Sequence, residues 1–391
     1  MSNFFAADFI VPVTGAPLIN GVVETDEHGL IKRIYKDRLE ISDQGKIKHY
    51  KGIIVPGFVN AHCHLELSHL LGKIPRSTGL VEFLKAIITS RQEDKNSVVQ
   101  SMEEADKQMI TNGIVAVGDH SNTSLSRAVK AKSPIHYHTF LEMIGFDPEQ
   151  SEKILEDGLK LKQEFEGLPV SLTPHAPYSV SRDLMRLISK SEVGSGFPIS
   201  IHNQESQAEN EFFRYKTGEF VKFYEWLDRD ISYFKSHSKS SLQSIIPGLP
   251  VSLPMQLVHN TYTSSKDASY VHRINRKVYW CLCLSANQYI EGTLPKLNNL
   301  LYNNQPVTIG TDSLASNDRL CILSEIKTIH AHYPFIDLLE LIKWATWNGA
   351  EVLGITERYG SIEPGKQPGL NLLKNVNGLA LTPETTLEKL I

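Results

Sequence analysis

Five of the 15 histidines in this 391-residue chain stand where strand-like runs end. His62 and His64 follow IIVPGFV (53–59), His175 follows VSLTP (170–174), and His202 and His259 close PISIH (198–202) and MQLVH (255–259). Glu205 comes three residues after His202, and Asp312 follows VTIGT (307–311). Alternate side chains of a strand share a face, so His62 and His64 project to one side, close enough to share a cation. Several imidazoles and one carboxylate gathered in one place suit zinc or ferrous iron. Taken singly, a strand-end His is more often solvated or hydrogen-bonded than a ligand, and Asp312 could merely cap its loop. The shared phase across separately assigned strands is what favours a metal centre. Cys63, between the two histidines, points the opposite way. Cys281 and Cys283 alternate on an apparent buried strand, with no second pair at zinc-ribbon spacing. All four cysteines therefore read as small buried apolar residues of a reduced, cytoplasmic enzyme.

Positioning those residues takes eight strand-then-helix beats between residues 53 and 333. Besides the runs above, IVAVGD (114–119), PIHYHTFLE (134–142) and VYWCLCL (278–284) are β-branched-rich and almost continuously apolar, as in strands covered on both faces. Ser97 is expected to open a helix carrying Val98, Met102, Ala105 and Met109, stopped by Gly113. Ser151 opens one with Ile154, Leu155, Leu159 and Phe165, and Ser181 precedes Leu184, Met185, Leu187 and Ile188. Less periodic segments at 79–91, 124–133, 266–275, 293–303 and 320–333 fill the other crossovers. Eight parallel strands with eight crossovers close into a (β/α)8 TIM barrel, whose strand C-termini converge on one mouth. An open doubly wound sheet is the alternative. No strand leads into G-x-G-x-x-G or a Walker-type Gly-Lys-Ser/Thr, so a nucleotide-phosphate cradle has no support.

The ends read differently. Residues 1–52 show short alternating strands with turns at Thr14-Gly15, Asn20-Gly21 and His28-Gly29, and residues 360–374 resemble a turn and a strand. The expected organisation is an α/β chain in which a small β-domain built from both termini (1–52 and 358–391) flanks a catalytic barrel (53–357). Residues 206–250, rich in Phe, Tyr, Trp and Ser, form a joint long enough to be a lid-like insertion.

Composition narrows the function classes. The chain carries 40 Lys+Arg against 44 Asp+Glu, a formal charge of −4, which argues against an electrostatic nucleic-acid binder. At 41% hydrophobic and 21% charged it is an ordinary globular chain. No stretch approaches the ~18 uninterrupted apolar residues of a membrane helix. The N-terminus MSNFFAADFIVPVTG lacks a cationic start before a long apolar run, so no signal peptide is expected.

Val55-Pro56-Gly57-Phe58-Val59-Asn60-Ala61-His62-Cys63-His64 resembles the opening signature of the metal-dependent amidohydrolase superfamily. The similarity continues through Thr173-Pro174-His175-Ala176-Pro177-Tyr178-Ser179, His202-Asn203-Gln204-Glu205-Ser206 and Leu257-Val258-His259-Asn260. It recurs in Gly310-Thr311-Asp312-Ser313, Ala345-Thr346-Trp347-Asn348-Gly349-Ala350 and Gly360-Ser361-Ile362-Glu363-Pro364-Gly365-Lys366. The resemblance is closest to the cytosine/adenosine/guanine-type deaminase and chlorohydrolase branch, and His-Leu-Glu-Leu-Ser at 64–68 is similar to aminodeoxyfutalosine deaminases. It implies a barrel flanked by a two-ended β-domain, with His62, His64, His202 and Asp312 as ligands of one divalent metal, zinc or iron. A second metal would need a Lys or Glu near the end of the fourth strand, where this chain has Ser171-Leu172-Thr173-Pro174, so the expected site is mononuclear. The chain departs from the family's Cys-Pro-x-Ser-Asn with Cys283-Leu284-Ser285-Ala286-Asn287.

By the same resemblance the catalytic residues are Glu205, His259 and Asp312, and Glu66, Glu142 and His175 contact substrate. A bound divalent ion lowers the pKa of its water toward ~7. Asp312 would accept the water's proton, His259 would orient the nucleophile, and Glu205, one helical turn past His202, would protonate a ring nitrogen. The activity implied is hydrolytic deamination of an amino-purine, pterin, nucleoside or related amino-heterocycle, releasing ammonia. One alternative cleaves a cyclic amide or a carbon–halogen bond. Another, a catalytically silent metal-binding scaffold, would lack a ligand or the acid, and none is missing. The expected partner is a small heterocyclic substrate, with no nucleic acid and no membrane, and a homodimer is left open.

Overall fold

The computed structural model describes residues 2–41, 46–90, 94–249, 252–274, 277–302 and 304–391. Residues 91, 275 and 303 of the expected crossovers and residue 250 of the expected insertion lie outside the described residues.

Eight parallel strands line the centre: Phe58–Cys63, Ile114–Ser121, His136–Met143 and Val170–Pro174, then Ile199–Asn203, Met255–His259, Val278–Leu282 and Val307–Ile309. They form two four-stranded sheets joined at two seams. At one seam Cys63 bridges Asp312 in parallel, and the amides of Thr311 and Asp312 both donate to the His62 carbonyl at 3.0 and 3.1 Å. At the other, the His202 amide donates to the His175 carbonyl at 3.0 Å, and Thr173 Oγ1 accepts the Ser200 amide at 3.0 Å. The chain is thus a (β/α)8 barrel, and its seams run through the histidine-bearing strand ends. Gly310 shows what the closure demands: a Cβ there would lie 2.7 Å from His62 Cβ and 2.9 Å from Cys283 Sγ.

Outside the barrel, a seven-stranded sheet combines both chain ends in the order Thr386–Lys389, Leu370–Lys374, Ile47–Pro56, Asn3–Ile10, Val22–Thr25, Ile31–Tyr35, with Leu18–Ile19 on the side of Asn3–Ile10. The expected first strand, 53–59, is divided. Residues 53–56 belong to this outer sheet, paired with Leu370–Lys374, and the barrel strand begins at Phe58. Gly57 makes the break because its amide turns to the carbonyls of Pro368 and Gly369, leaving no room for a side chain. The helix expected from Ser97 starts at Lys95, because Asp94 accepts the amides of Asn96 and Ser97 as its cap. Val98, Met102, Ala105 and Met109 form its buried face as expected. Residues 206–249 fold into helices Gln207–Tyr215, Glu219–Trp226 and Ser241–Ile245. Phe212 of the first packs on half-buried Phe234 in the loop after the second, and Phe220 packs on Tyr178 beyond the fourth barrel strand, with the Tyr224 hydroxyl donating to the Tyr178 carbonyl at 2.5 Å. None of the four cysteines is in a disulfide, and Cys63, Cys281 and Cys283 are buried. Among the described residues no helix is long and apolar enough to cross a membrane.

One buried ion pair braces the mouth. Lys130 Nζ lies 2.5 Å from Asp119 Oδ2, both side chains being fully buried, and Asp119 Oδ1 accepts the Leu65 amide at 2.7 Å, just past His64. Removing one partner of a buried pair leaves the other charge without compensation, which costs about 3–5 kcal/mol. Lys130→Ala is therefore expected to lose stability of that order in denaturant unfolding, whereas a loss below 1 kcal/mol would mean the pair is solvated.

Candidate metal centre and active site

His62 and His64 reach the barrel's C-terminal mouth from alternate positions of the first strand, His202 from the fifth, His259 from the sixth, and Asp312 from the turn after the eighth. His64 Nε2 lies 3.2 Å from His202 Nε2, while Asp312 Oδ1 lies 3.5 Å from His62 Nε2 and 3.6 Å from His64 Nε2. Two ligands each about 2.1 Å from a tetrahedral centre stand about 3.4 Å apart, so these three spacings suit ligands of one ion, and His62, His64 and His202 recur in the buried groups whose ligand atoms lie within 4.8 Å of one another. The chemistry of the donors fits as well. Both ring nitrogens of His62 are buried and have no hydrogen-bond partner, an arrangement costly for a structural histidine and natural for a ligand. Burial, reinforced by the repulsion that His120, His202 and His259 would exert on a protonated ring, holds the His62 imidazole well below its ordinary pKa. Burial likewise lowers His202 to about 4, so the rings are neutral and their lone pairs available. Asp312 is pushed up by burial, but charge on His64 and His259 and the Ser316 hydroxyl outweigh it and hold the carboxyl below its usual range.

Local backbone aims these groups. His259 (φ 72°) and Asp312 (φ 58°) sit in the left-handed region, which a residue with a Cβ enters only where its surroundings impose it. The Asn260 amide donates to the Asn203 carbonyl at 3.0 Å and the Asn203 side chain donates to Asn260 Oδ1 at 3.0 Å, locking the two His-Asn strand ends together. Ser316 Oγ donates to Asp312 Oδ2 at 2.5 Å, leaving Oδ1 toward His62 and His64.

Glu205 is buried on the fifth-strand side, with Oε1 3.6 Å from His259 Nε2. Burial, with charge on Asp312 and Glu291, raises its carboxyl well above the ordinary value, the direction a general acid needs. His259 Nδ1 donates to Asn287 Oδ1 at 2.8 Å, which puts the ring proton on Nδ1 and turns an unprotonated Nε2 toward Glu205. The departure at 283–287 therefore keeps the Asn that orients His259. His175 Nδ1 is 2.7 Å from Ser179 Oγ, with its ring 4.8 Å from that of His202. Glu66 accepts the Asn122 amide at 3.0 Å and the Thr123 hydroxyl at 3.1 Å. Glu142 lies among the histidines, its Oε1 2.9 Å from His120 Nδ1 and 3.5 Å from His202 Nδ1, its Oε2 3.9 Å from His64 Nδ1.

His120 is the buried histidine that sequence reasoning missed. The second run ends in that reading at Asp119, whereas the strand continues through His120 to Ser121. The polar triplet Asp119-His120-Ser121 after an apolar run was the available signal.

The amidohydrolase family profile matches residues 53–389. The chain is similar to 5′-deoxyadenosine deaminase of Methanococcus maripaludis, 28% identical over 380 residues, covering 92% of this chain and 82% of that protein. It is also similar to aminodeoxyfutalosine deaminase of Deinococcus radiodurans, 26% identical over 324 residues, 77% of this chain and 73% of that one. In fold it resembles the crystal structure of Helicobacter pylori aminofutalosine deaminase in complex with methylthio-coformycin, with a TM-score of 0.81, 22% identity and coverage of 97% and 93%. A profile spanning the barrel and the returning outer strands, on a chain with its histidines and Asp312 gathered at the mouth, gives the family: this chain belongs to the amidohydrolases.

Proposed function

We propose that this amidohydrolase is a metal-dependent deaminase of 6-aminopurine nucleosides, exchanging the exocyclic amine for oxygen and releasing ammonia. The observation that carries the reading is Glu205, a buried carboxyl beside the metal-type cluster, 3.6 Å from His259 and with its pKa raised by burial. Replacing an aromatic amine with water needs a proton on the ring nitrogen as the neighbouring carbon becomes tetrahedral, and a raised-pKa carboxylic acid supplies it. The names of the relatives, which act on adenosine-type compounds, support that substrate class.

His62, His64, His202 and Asp312 would hold one divalent ion, zinc or ferrous iron. When bound, the ion supplies a water of lowered pKa. Asp312 accepts the proton of the attacking water at its carboxylate. His259, with its proton fixed on Nδ1 by Asn287, orients the water and stabilises charge on the tetrahedral carbon. Glu205 gives its proton to the ring nitrogen, the proton taken up by Asp312 passes to the amine, which leaves as ammonia, and the hydroxyl proton of the collapsing tetrahedral centre returns Glu205 to its acid form. Glu66 and His175 stand at the mouth to contact the substrate, and the helical segment at 206–249 serves as its lid. The enzyme works in the cytoplasm, in keeping with four unpaired cysteines.

Ammonia release by the metal-loaded protein over adenosine, 5′-deoxyadenosine, free adenine, guanine, a cyclic amide and a chlorinated triazine tests this reading. The 6-aminopurine nucleosides are expected to yield ammonia with the highest kcat/KM. Chloride release or ring opening without ammonia would replace it with the chlorohydrolase or cyclic-amide alternative.

A further inference from the structure

A line of buried polar groups crosses the barrel beneath the metal-type cluster, and the proposed chemistry uses none of it except its end. Gln256, on the sixth strand, donates from Nε2 to the Ala61 carbonyl at 2.8 Å and to Ser200 Oγ at 3.1 Å. The Ala61 carbonyl can only accept, so the amide's orientation is fixed. Ser200 Oγ, on the fifth strand, therefore accepts from Gln256 and has its own hydrogen for His120 Nε2, 2.9 Å away. His120, on the second strand, must then carry its proton on Nδ1, which faces Glu142 Oε1 at 2.9 Å. Glu142, at the end of the third strand, stands 3.5 Å from His202 Nδ1 and 3.9 Å from His64 Nδ1, on the side of both rings away from their Nε2 atoms. Gln256, Ser200 and His120 are completely buried, and each donor in the line finds one acceptor.

We propose that His120 is a positioning residue of the metal centre, acting through Glu142 to fix that carboxylate behind the ligand imidazoles of His64 and His202. A fixed carboxylate there makes the two rings better donors and limits their rotation, as partners behind ligand histidines do in metal sites. The two contacts of His120, Ser200 at Nε2 and Glu142 at Nδ1, give the ring one defined proton, on Nδ1. A second cation held by His120 and Glu142 is the competing use of these groups. It is disfavoured because both His120 nitrogens are engaged and His202 Nδ1 donates to the His175 carbonyl at 2.8 Å.

The inference rests on the metal-centre reading, and its test is binding measured without substrate, so its failure leaves the deaminase reading standing. His120→Phe keeps the ring volume and removes the donor to Glu142, while His120→Asn restores a donor near the Nδ1 position. Zinc affinity from chelator competition, metal content, and the visible spectrum of the cobalt-substituted protein are the readouts, with unfolding of the metal-free variants as the control. Loss of such a partner costs about 10–100-fold in metal affinity. His120→Phe is expected to bind zinc that much more weakly with an altered cobalt spectrum, and His120→Asn to recover most of both. Ser200→Ala, which removes the donor to His120 Nε2 together with one acceptor of Gln256 Nε2 and leaves His120 and Glu142 in place, is expected to weaken binding about 2–10-fold, the worth of one hydrogen bond. It serves if His120→Phe does not fold. Wild-type affinity and spectrum in His120→Phe, or in Ser200→Ala where the former is unfolded, overturns the proposal. Two ions per wild-type chain, one of them lost with His120, overturns it in favour of a second cation. Wild-type protein that takes up no metal overturns both this inference and the deaminase reading.

Discussion

Stripping the protein with a chelator is expected to abolish ammonia release, and one zinc or ferrous ion per chain to restore it. The size of the effect follows from the nucleophile. Free water has a pKa of about 15.7 and a metal-bound one about 7, so without the ion the site holds almost none of the attacking species at neutral pH. No protein group replaces it, because the rings of His62 and His202 are held neutral by burial and Asp312 stays ionised. The stoichiometry follows from the ligand spacings of 3.2–3.6 Å, which describe one centre, and from the fourth strand, which presents Thr173-Pro174 and no Lys or Glu. The stripped protein should also unfold at a lower temperature, since an ion bound only by the folded state stabilises it by mass action. Full turnover in protein carrying no stoichiometric transition metal would end the metal-dependent reading.

The histidines of this centre were legible because their signal is local. An apolar, β-branched run followed by a polar residue marks a strand end, and parallel strands of one barrel bring all such ends together. His120 is not legible in that way: the apolar run closes at Asp119, two residues before the strand ends at Ser121, and nothing local says that a buried His on the second strand faces Ser200 and Glu142. The division of the run 53–59 at Gly57 is not legible because Ile53–Pro56 and Phe58–Val59 are all apolar, and what separates them is contact with Pro368 and Gly369, more than 300 residues away. The left-handed backbone at His259 and Asp312 has no decisive sequence mark either, since Asp and His tolerate that region better than most side chains but seldom occupy it. In both cases the missing information was pairing between distant segments. The charge pair of Lys130 and Asp119 belongs here too, because a helix Lys reads as solvent-facing until the strand beside it is placed.

Replacing Glu205 with Gln is expected to lower kcat by about 10²–10⁴-fold, the usual contribution of a general acid, while metal content stays at the wild-type value. The two halves of that expectation depend on different atoms. Glu205 Oε1 stands 3.6 Å from His259 Nε2, and the close approaches within the cluster, His62 and His64 to Asp312 and His64 to His202, do not involve Glu205. Gln keeps the shape and the hydrogen-bonding reach of the side chain but has no proton to transfer. KM should therefore change far less than kcat, because the amide still occupies the acid's place against the ring. The pH profile gives a second handle. Burial and the charge on Asp312 raise the Glu205 carboxyl above its ordinary value, so its proton is present below that raised pKa and lost as pH climbs through it. Wild-type kcat/KM should accordingly fall on the alkaline side through that ionisation, and Glu205→Gln should lack that limb. A variant with unchanged turnover and an unchanged alkaline limb would remove Glu205 from the mechanism and leave the ring-nitrogen proton to another donor. A variant that lost its metal along with its activity would show instead that Glu205 supports the cluster, by way of the His259 ring it faces.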